Sequence, residues 1–315
     1  MPSWQARMVS LLSRLTVKRA GVKQAYDEYE TVRRVRRSLE PAKYIHAHLP
    51  RGVSHNSINE ENLKGEWLIA NESNDSYIYY LHGGGYIAGS PVTHRNFTTN
   101  LARSAKAKVF AIDYRLAPEH TFPAALEDAM AGYRWLLEQG VPPEKLVIGG
   151  DSAGGGLTMA TMLAARDEGL PLPMGAFLLS PWTDLACTGP SLELNDDRDQ
   201  MLCSKEVHRM SKVYYGEASP LDPLVSPLYA NFASLPPLLI YASDSEVLLD
   251  DSVRLAERAG YYGVEVDLRV WHNQLHAWPV FISFKIPESR KAMLEIAEFV
   301  RERTSAVRAA QIVAA

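Results

Sequence analysis

Residues 146–159 read LVIGGDSAGGGLTM, and this stretch restricts the fold more than any other. Leu146, Val147 and Ile148 form an apolar run of strand character. Gly149 and Gly150 interrupt it, Asp151 and Ser152 follow, and after Ala153 and three more glycines Leu157 opens a helical pattern. The local reading is strand, tight turn, helix, with a serine at the apex and Gly150 and Gly154 two positions to either side. A turn that sharp strains the backbone of its apical residue and crowds the neighbours, so glycine suits both flanking positions. It also lifts the serine hydroxyl out of the sheet and leaves the next N–H groups at a helix N-terminus, aimed at developing negative charge. A glycine-rich connection with no chemistry has the same local look, so partners elsewhere in the chain must decide.

The surrounding sequence alternates between two periods. Tyr77–Leu81, Val109–Ile112, Leu146–Ile148, Ala176–Leu179, Leu238–Ala242 and Val264–Val270 read as strands. Between them His94–Lys106, Phe122–Glu138, the stretch after Ser152 and Asp250–Ala259 carry helical spacing, and Pro287–Arg303 closes the chain as a helix. Strand-like pattern also covers Lys43–Leu49 and Val53–Ala70, with turns near Gly52 and Asn59–Asn62. Such alternation predicts a mostly parallel, twisted central sheet with helices on both faces. Two segments stand outside it. In the first 40 residues Trp4, Met8, Leu11, Leu12 and Leu15 recur at helical spacing, as do Val22, Tyr26, Tyr29, Val32 and Val35; Gly21 separates the two helices and Pro41 stops the second. An apolar stripe on helices ahead of the sheet has to rest on something, which suggests a lid-like cap. Residues 185–228 lose the alternation, hold several prolines and one weak helical stretch (Lys205–Tyr215), and read as a second cap element. The expected organisation is N-terminal cap helices over 1–42, an inserted cap segment over about 186–226, and a catalytic domain over 43–315.

Overall properties exclude several function classes. A net charge of −4 argues against nucleic acid as a partner. Residues 1–40 hold nine Lys/Arg against four Asp/Glu, and the cluster Arg33, Arg34, Arg36, Arg37 reads as the solvated face of a helix. No run is apolar enough to span a bilayer, so stable membrane insertion is not expected, and Arg7 and Arg14 break up the only stretch resembling a secretory signal. Two cysteines, Cys187 and Cys203, are too few for a disulfide framework and fit a reducing, cytoplasmic setting.

Ligands of open α/β sheets sit beyond the carboxyl ends of the strands, and there the chemistry-bearing residues gather. After Tyr77–Leu81 comes His82-Gly83-Gly84-Gly85. The N–H groups of Gly84 and Gly85, with that of Ala153, are the candidate oxyanion donors; His82 precedes them and braces the loop. No Lys-Ser or Lys-Thr pair follows, which disfavours a phosphate loop. After Leu238–Ala242 lies an acidic stretch (Asp244, Glu246, Asp250, Asp251), and after the Val264 strand come His272 and His276. Serine, acid, histidine is the chain order of the α/β-hydrolase triad. The imidazole takes the serine proton and the carboxylate holds the imidazole in place. Zinc between His272 and His276 is disfavoured, because Asn273 stands where a metalloprotease helix has glutamate; no metal and no cofactor are expected.

The chain resembles the hormone-sensitive-lipase-like carboxylesterases. Besides HGGG and GDSAG it carries DYRLAPEH (113–120), FPAALED (122–128) and SPWTDL (180–185), so that the resemblance spans about residues 77–280. It implies an α/β-hydrolase core under a helical cap and hydrolysis of small, short-acyl esters through an acyl-enzyme, with a small-molecule ester as partner. It is compatible with a homodimer through an edge strand and the last helix. On the family pattern the nucleophile is Ser152, the base His276 and the acid Glu246, at the head of Glu246-x-Leu248-x-Asp250, where many members carry aspartate followed by proline. Asp244 is the rival acid, and Asp250 and Asp251 are expected to cap the next helix. Tyr86, Met201, Leu202, Val207 and Met210 are candidate pocket residues, with ordinary packing an equal alternative. An inactive small-molecule receptor on this fold, or an amidase or lactonase, remains the competing reading.

Overall fold

The computed structural model of the chain describes residues 1–18, 27–45, 49, 52–61 and 63–313. Its centre is one eight-stranded sheet: β1 (Val53–Glu60), β2 (Leu63–Ala70), β3 (Tyr77–Leu81), β4 (Lys108–Ile112), β5 (Leu146–Asp151), β6 (Ala176–Leu179), β7 (Leu238–Ser243) and β8 (Val266–Trp271). Spatial order is β1-β2-β4-β3-β5-β6-β7-β8. β2 lies antiparallel to β1 and β4, and every pair from β4 to β8 is parallel.

Alternation along the strands splits the core in two. Tyr79, Leu81, Ile148, Leu178 and Ile240 join one apolar cluster, while Ile78, Tyr80, Val147, Phe177 and Tyr241 join the other. Helices α4 (Ala124–Glu138), α5 (Ala153–Asp167) and α8 (Leu249–Tyr261) cover the first face through Leu126, Tyr133, Leu157 and Leu255. Helices α3 (Pro91–Ala105) and α9 (Pro287–Val313) cover the second through Phe97, Leu101, Met293 and Ile296. Burial on both faces is what a parallel sheet demands, and the apolar runs of the central strands supply it.

The segments expected to form a cap contain α1 (Trp4–Ser13) and α2 (Glu28–Ile45) at the N-terminus and α6 (Ser191–Leu194) and α7 (Ser204–Tyr215) in the inserted stretch. Three expectations change here. Pro41 does not stop α2; it sits within the helix, close enough to its end that one missing N–H removes a single late hydrogen bond. In consequence Lys43–Ile45 is helical rather than strand, while 46–48 lie outside the described residues, as do Gly21, Val22 and Tyr26. The arginine cluster is not simply solvated. Arg34 pairs with Glu206 of α7, and Arg36 reaches the Ile87 carbonyl (2.8 Å) and Glu119 (2.7 Å), so α2 is clamped to both the inserted cap and the sheet domain. Finally, the stripe Trp4, Met8, Leu11, Leu12 and Leu15 is exposed, and the small Ala6 and Val9 face inward instead.

Asp250 and Asp251 lie in the first turn of α8 but do not cap it. Asp250 Oδ2 accepts from the Ser191 N–H (2.7 Å). The buried Asp251 accepts from the N–H groups of Thr183 (2.7 Å) and Asp184 (2.8 Å), fastening the loop after β6 to α8. Burial, with the neighbouring Asp184 charge, pushes the Asp251 carboxyl up to about 8. Asp251→Ala is expected to strand both amides and lower stability by about 2–4 kcal/mol, whereas Asp251→Asn, which keeps a neutral acceptor there, loses less than half of that. Urea unfolding midpoints of the two variants check the order.

Candidate active site

Four loops at the carboxyl end of the sheet meet over one cavity of about 490 Å³. The first is the turn between β5 and α5. Ser152 at its apex has φ 54° and ψ −121°, a conformation that L-residues adopt only where the surroundings impose it. The imposing contact is a close backbone crossing. A Cβ on Gly150 would stand 2.5 Å from both the Gly154 carbonyl carbon and the Leu81 carbonyl oxygen, and one on Gly154 would run into that same oxygen. The two glycines thus let β5, α5 and the end of β3 approach closely enough to hold the strained serine between them.

The second loop, 82–85, follows β3. Its geometry is set by Asp151, whose carboxylate is buried beside the nucleophile candidate. Oδ1 accepts from the Tyr80 hydroxyl (2.5 Å) and the Gly83 N–H (2.9 Å), and Oδ2 lies 3.4 Å from His94 Nε2. Burial alone would raise Asp151, but the His94 charge and these hydrogen bonds hold it below the ordinary range; reciprocally, Asp151 lifts His94 above its usual value against the effect of burial. His82 stacks on Tyr114 with ring centres 4.2 Å apart, and its Nδ1 bonds the Gly83 carbonyl (2.8 Å). Burial and the His94 charge push His82 down to about 3, so it is a neutral brace and not a base. With Gly83 N–H committed to Asp151, the N–H groups of Gly84 and Gly85 have no backbone acceptor among the described residues, and both glycines line the cavity. The Ala153 N–H begins α5, where helix geometry provides no intrahelical partner.

The third and fourth loops follow β7 and β8. His276 Nδ1 lies 2.7 Å from Glu246 Oε2, both side chains shut away from water. Glu246 Oε1 accepts from the Ser243 N–H (2.7 Å) and the Ser180 hydroxyl (3.0 Å). Burial pulls His276 down, yet the Glu246 hydrogen bond and charge, with the charges of Asp199 and Asp151, outweigh it and raise the imidazole above 6.5. Its Nε2 is buried with no hydrogen-bond partner, and His276 lines the same cavity as Ser152. Asp244 goes elsewhere: it sits at the surface on His272 Nδ1 (2.7 Å) and the Asn273 N–H (2.8 Å). The two carboxylates and two histidines therefore sort into a buried pair and an exposed one. No group of three or more His, Cys, Asp or Glu able to hold a metal ion occurs among the described residues.

The family described as alpha/beta hydrolase fold matches residues 78–280. An acetyl-hydrolase of Streptomyces hygroscopicus is 41% identical over 239 residues, 76% of this chain and 80% of that one. An esterase of Acinetobacter venetianus is 36% identical over 238 residues, covering 75% and 78%. Among solved structures, an esterase from the bacterial hormone-sensitive lipase family superposes with TM-score 0.87 at 37% identity, over 96% of this chain and 99% of that one. The chain is a hormone-sensitive-lipase-like alpha/beta hydrolase. It is a carboxylic ester hydrolase.

Of the pocket residues expected from the esterase's sequence, Met201, Leu202, Val207 and Met210 line the cavity. Tyr86 does not. Its ring is 1% exposed and stacks on Tyr214 with centres 3.7 Å apart, so it is core packing. Besides His94, which pairs with Asp151, two residues of the site escaped sequence reading. Ser180, already inside the SPWTDL block, both donates to Glu246 and accepts from the Ala277 N–H (3.0 Å), joining the acid to the histidine loop. Asp199, in the inserted cap, accepts from the N–H groups of Met201 (2.8 Å), Leu202 (2.9 Å) and Val247 (2.9 Å), tying the cap to the residue after Glu246. Of the cluster that shapes the 82–85 loop, Asp151→Ala leaves Tyr80, Gly83 and His94 without their shared acceptor. It is expected to cost the esterase about 3–5 kcal/mol of stability by urea unfolding, and a loss under about 1 kcal/mol would contradict the clamp.

Proposed function

We propose that this esterase is a serine carboxylesterase working through an acyl-enzyme, with Ser152 as nucleophile, His276 as base and Glu246 as the acid behind it. The observation that carries the reading is His276 itself: fixed by Glu246 at 2.7 Å, with a buried, unpartnered Nε2 in the cavity that Ser152 also lines. A base with one nitrogen saturated and the other free is arranged to take a proton from that side. A ground-state serine hydroxyl that is not yet hydrogen-bonded to its base is common in unliganded sites. In the first step the Ser152 proton passes to His276 Nε2 as Oγ attacks the ester carbonyl. The negative charge that forms on the carbonyl oxygen is received by the N–H groups of Gly84, Gly85 and Ala153, each worth about 3–4 kcal/mol of barrier. The imidazolium then protonates the leaving alcohol, and water repeats the cycle on the acyl-enzyme.

A short acyl chain fits the same site. The cavity is apolar, and Val207 and Met210 reach it from α7, Met210 standing so close to Gly85 that a Cβ there would lie 2.8 Å from its sulfur. That side chain limits the room beside the oxyanion donors. The relation to an acetyl-hydrolase supports the same substrate class. Two cysteines without a disulfide fit the cytoplasm as the place of action.

With p-nitrophenyl acetate and butyrate, the wild type is expected to release p-nitrophenol and Ser152→Ala to release none above background. Glu246→Gln lowers kcat by about a hundredfold or more, while Asp244→Asn stays within about threefold of wild type; the reverse order would reassign the acid to Asp244. The pH profile gives a separate check. Since only the neutral imidazole accepts a proton, kcat/KM rises with pH through a limb above 6.5 in the wild type. Removing the Glu246 charge leaves burial dominant and moves that limb to lower pH in Glu246→Gln. An unmoved limb would show that Glu246 does not govern His276.

A further inference from the structure

Helix α1 carries its apolar side outward. Trp4, Met8, Leu11, Leu12 and Leu15 are 63, 46, 56, 51 and 51% exposed, whereas Ala6 and Val9, on the opposite side, are buried. Isolated exposed hydrophobics are ordinary, but five large ones along α1 and the helical turn that continues it (Arg14–Lys18) form a contact surface awaiting an occupant. The helix is not a loose end. At its start the Ser3 N–H and hydroxyl donate to the Glu288 carboxylate (2.5 and 2.7 Å), and beyond its C-terminus the buried Lys18 donates to the carbonyls of Asp196 and Asp199. Held at both ends, it presents the row to the outside.

Charge selects the occupant. The first 26 residues contain five Lys/Arg and no Asp/Glu, in a chain whose net charge is −4. Arg7 and Arg14, both exposed, stand beside the apolar row at helical spacing. A row of Trp, Met and Leu bordered by two exposed arginines, on a segment that carries no acid of its own, is the composition of a helix that lies in the headgroup region of an anionic lipid layer. No helix among the described residues is long and apolar enough to cross a membrane, which leaves lying on the surface. A second copy of the chain is a poorer occupant, because facing rows would set these cations against their own kind. The position is also apt. A few residues past α1, Val17 lines the cavity, and Phe284, 51% exposed, lines it too.

We propose that α1 is an interfacial helix that docks the protein on an anionic lipid surface with the cavity wall beside it. The inference rests on the exposed row and its charges, independently of the catalytic roles assigned above. The full chain is tested by flotation with phosphatidylcholine vesicles containing or lacking phosphatidylglycerol. The wild type is expected to float with the anionic vesicles at low salt and to bind pure phosphatidylcholine, or anionic vesicles at high salt, at least about tenfold less. The double variant Leu11→Glu, Leu15→Glu, whose side chains lie outside the cavity, loses flotation while keeping its melting transition and its turnover of a water-soluble ester. Absence of wild-type flotation, or equal flotation of the double variant, overturns the proposal. So does a wild-type dimer in sedimentation that the double variant dissolves without any vesicle binding, since a second copy would then cover the row.

Discussion

A glutamate and a histidine shut away from water 2.7 Å apart place heavy demands on everything near them. A carboxylate loses several kcal/mol of hydration on burial, and only good geometry with its lone pairs occupied offsets that. The fold meets the demand by spending the ends of three adjacent strands on one carboxylate. β7 ends at Ser243 and leads to Glu246, β6 leads to Ser180, and β8 leads to His276. Parallel order β6-β7-β8 puts all three carboxyl ends on the same side, so no large loop excursion is needed to gather them. Misplacing any one would leave the buried carboxylate short of a partner, and Ser180 holds its place with a left-handed backbone (φ 47°).

A second buried carboxylate organises the other half of the site. Asp151 links the serine turn to the 82–85 loop through Gly83 and to α3 through His94. The serine and the amides proposed to receive the oxyanion are therefore positioned by one group. Asp199 does a similar service for the cap, whose cavity-lining residues begin two positions later, by reaching the amide of Val247. Burial raises this carboxyl in spite of the His276 charge and three amide hydrogen bonds.

What could be read in advance was local. The strained serine turn, the glycine loop and the strand-helix alternation are each encoded within a dozen residues, because close approach leaves glycine as a visible trace. The sheet helices and the cavity residues of α7 follow from periodicity in the same way. Contacts between distant segments left no such trace. Nothing in an isolated Ser180, His94 or Asp199 announces a partner between 48 and 97 residues away, as with Asp199 and Val247 or Ser180 and Ala277. Periodicity also fails to say which way a face points: α1 shows a textured apolar stripe, yet the stripe is turned to solvent, while Tyr86, adjacent in sequence to the glycine loop, is packed on Tyr214 instead. The arginines of α2 read as a solvated run because their acidic partners, Glu119 and Glu206, lie far along the chain.

In the proposed mechanism Ser152, His276 and the amides of Gly84, Gly85 and Ala153 act on one carbonyl group at once. A crystal structure of the enzyme inactivated by a p-nitrophenyl alkylphosphonate tests this most directly. The expected result is phosphorus bonded to Ser152 Oγ, the phosphoryl oxygen within hydrogen-bonding distance of those three amides, and His276 Nε2 within reach of Oγ or the remaining phosphonate oxygen. An adduct on another side chain, or a phosphoryl oxygen pointing into the cap with the amides of residues 84 and 85 unengaged, would contradict it.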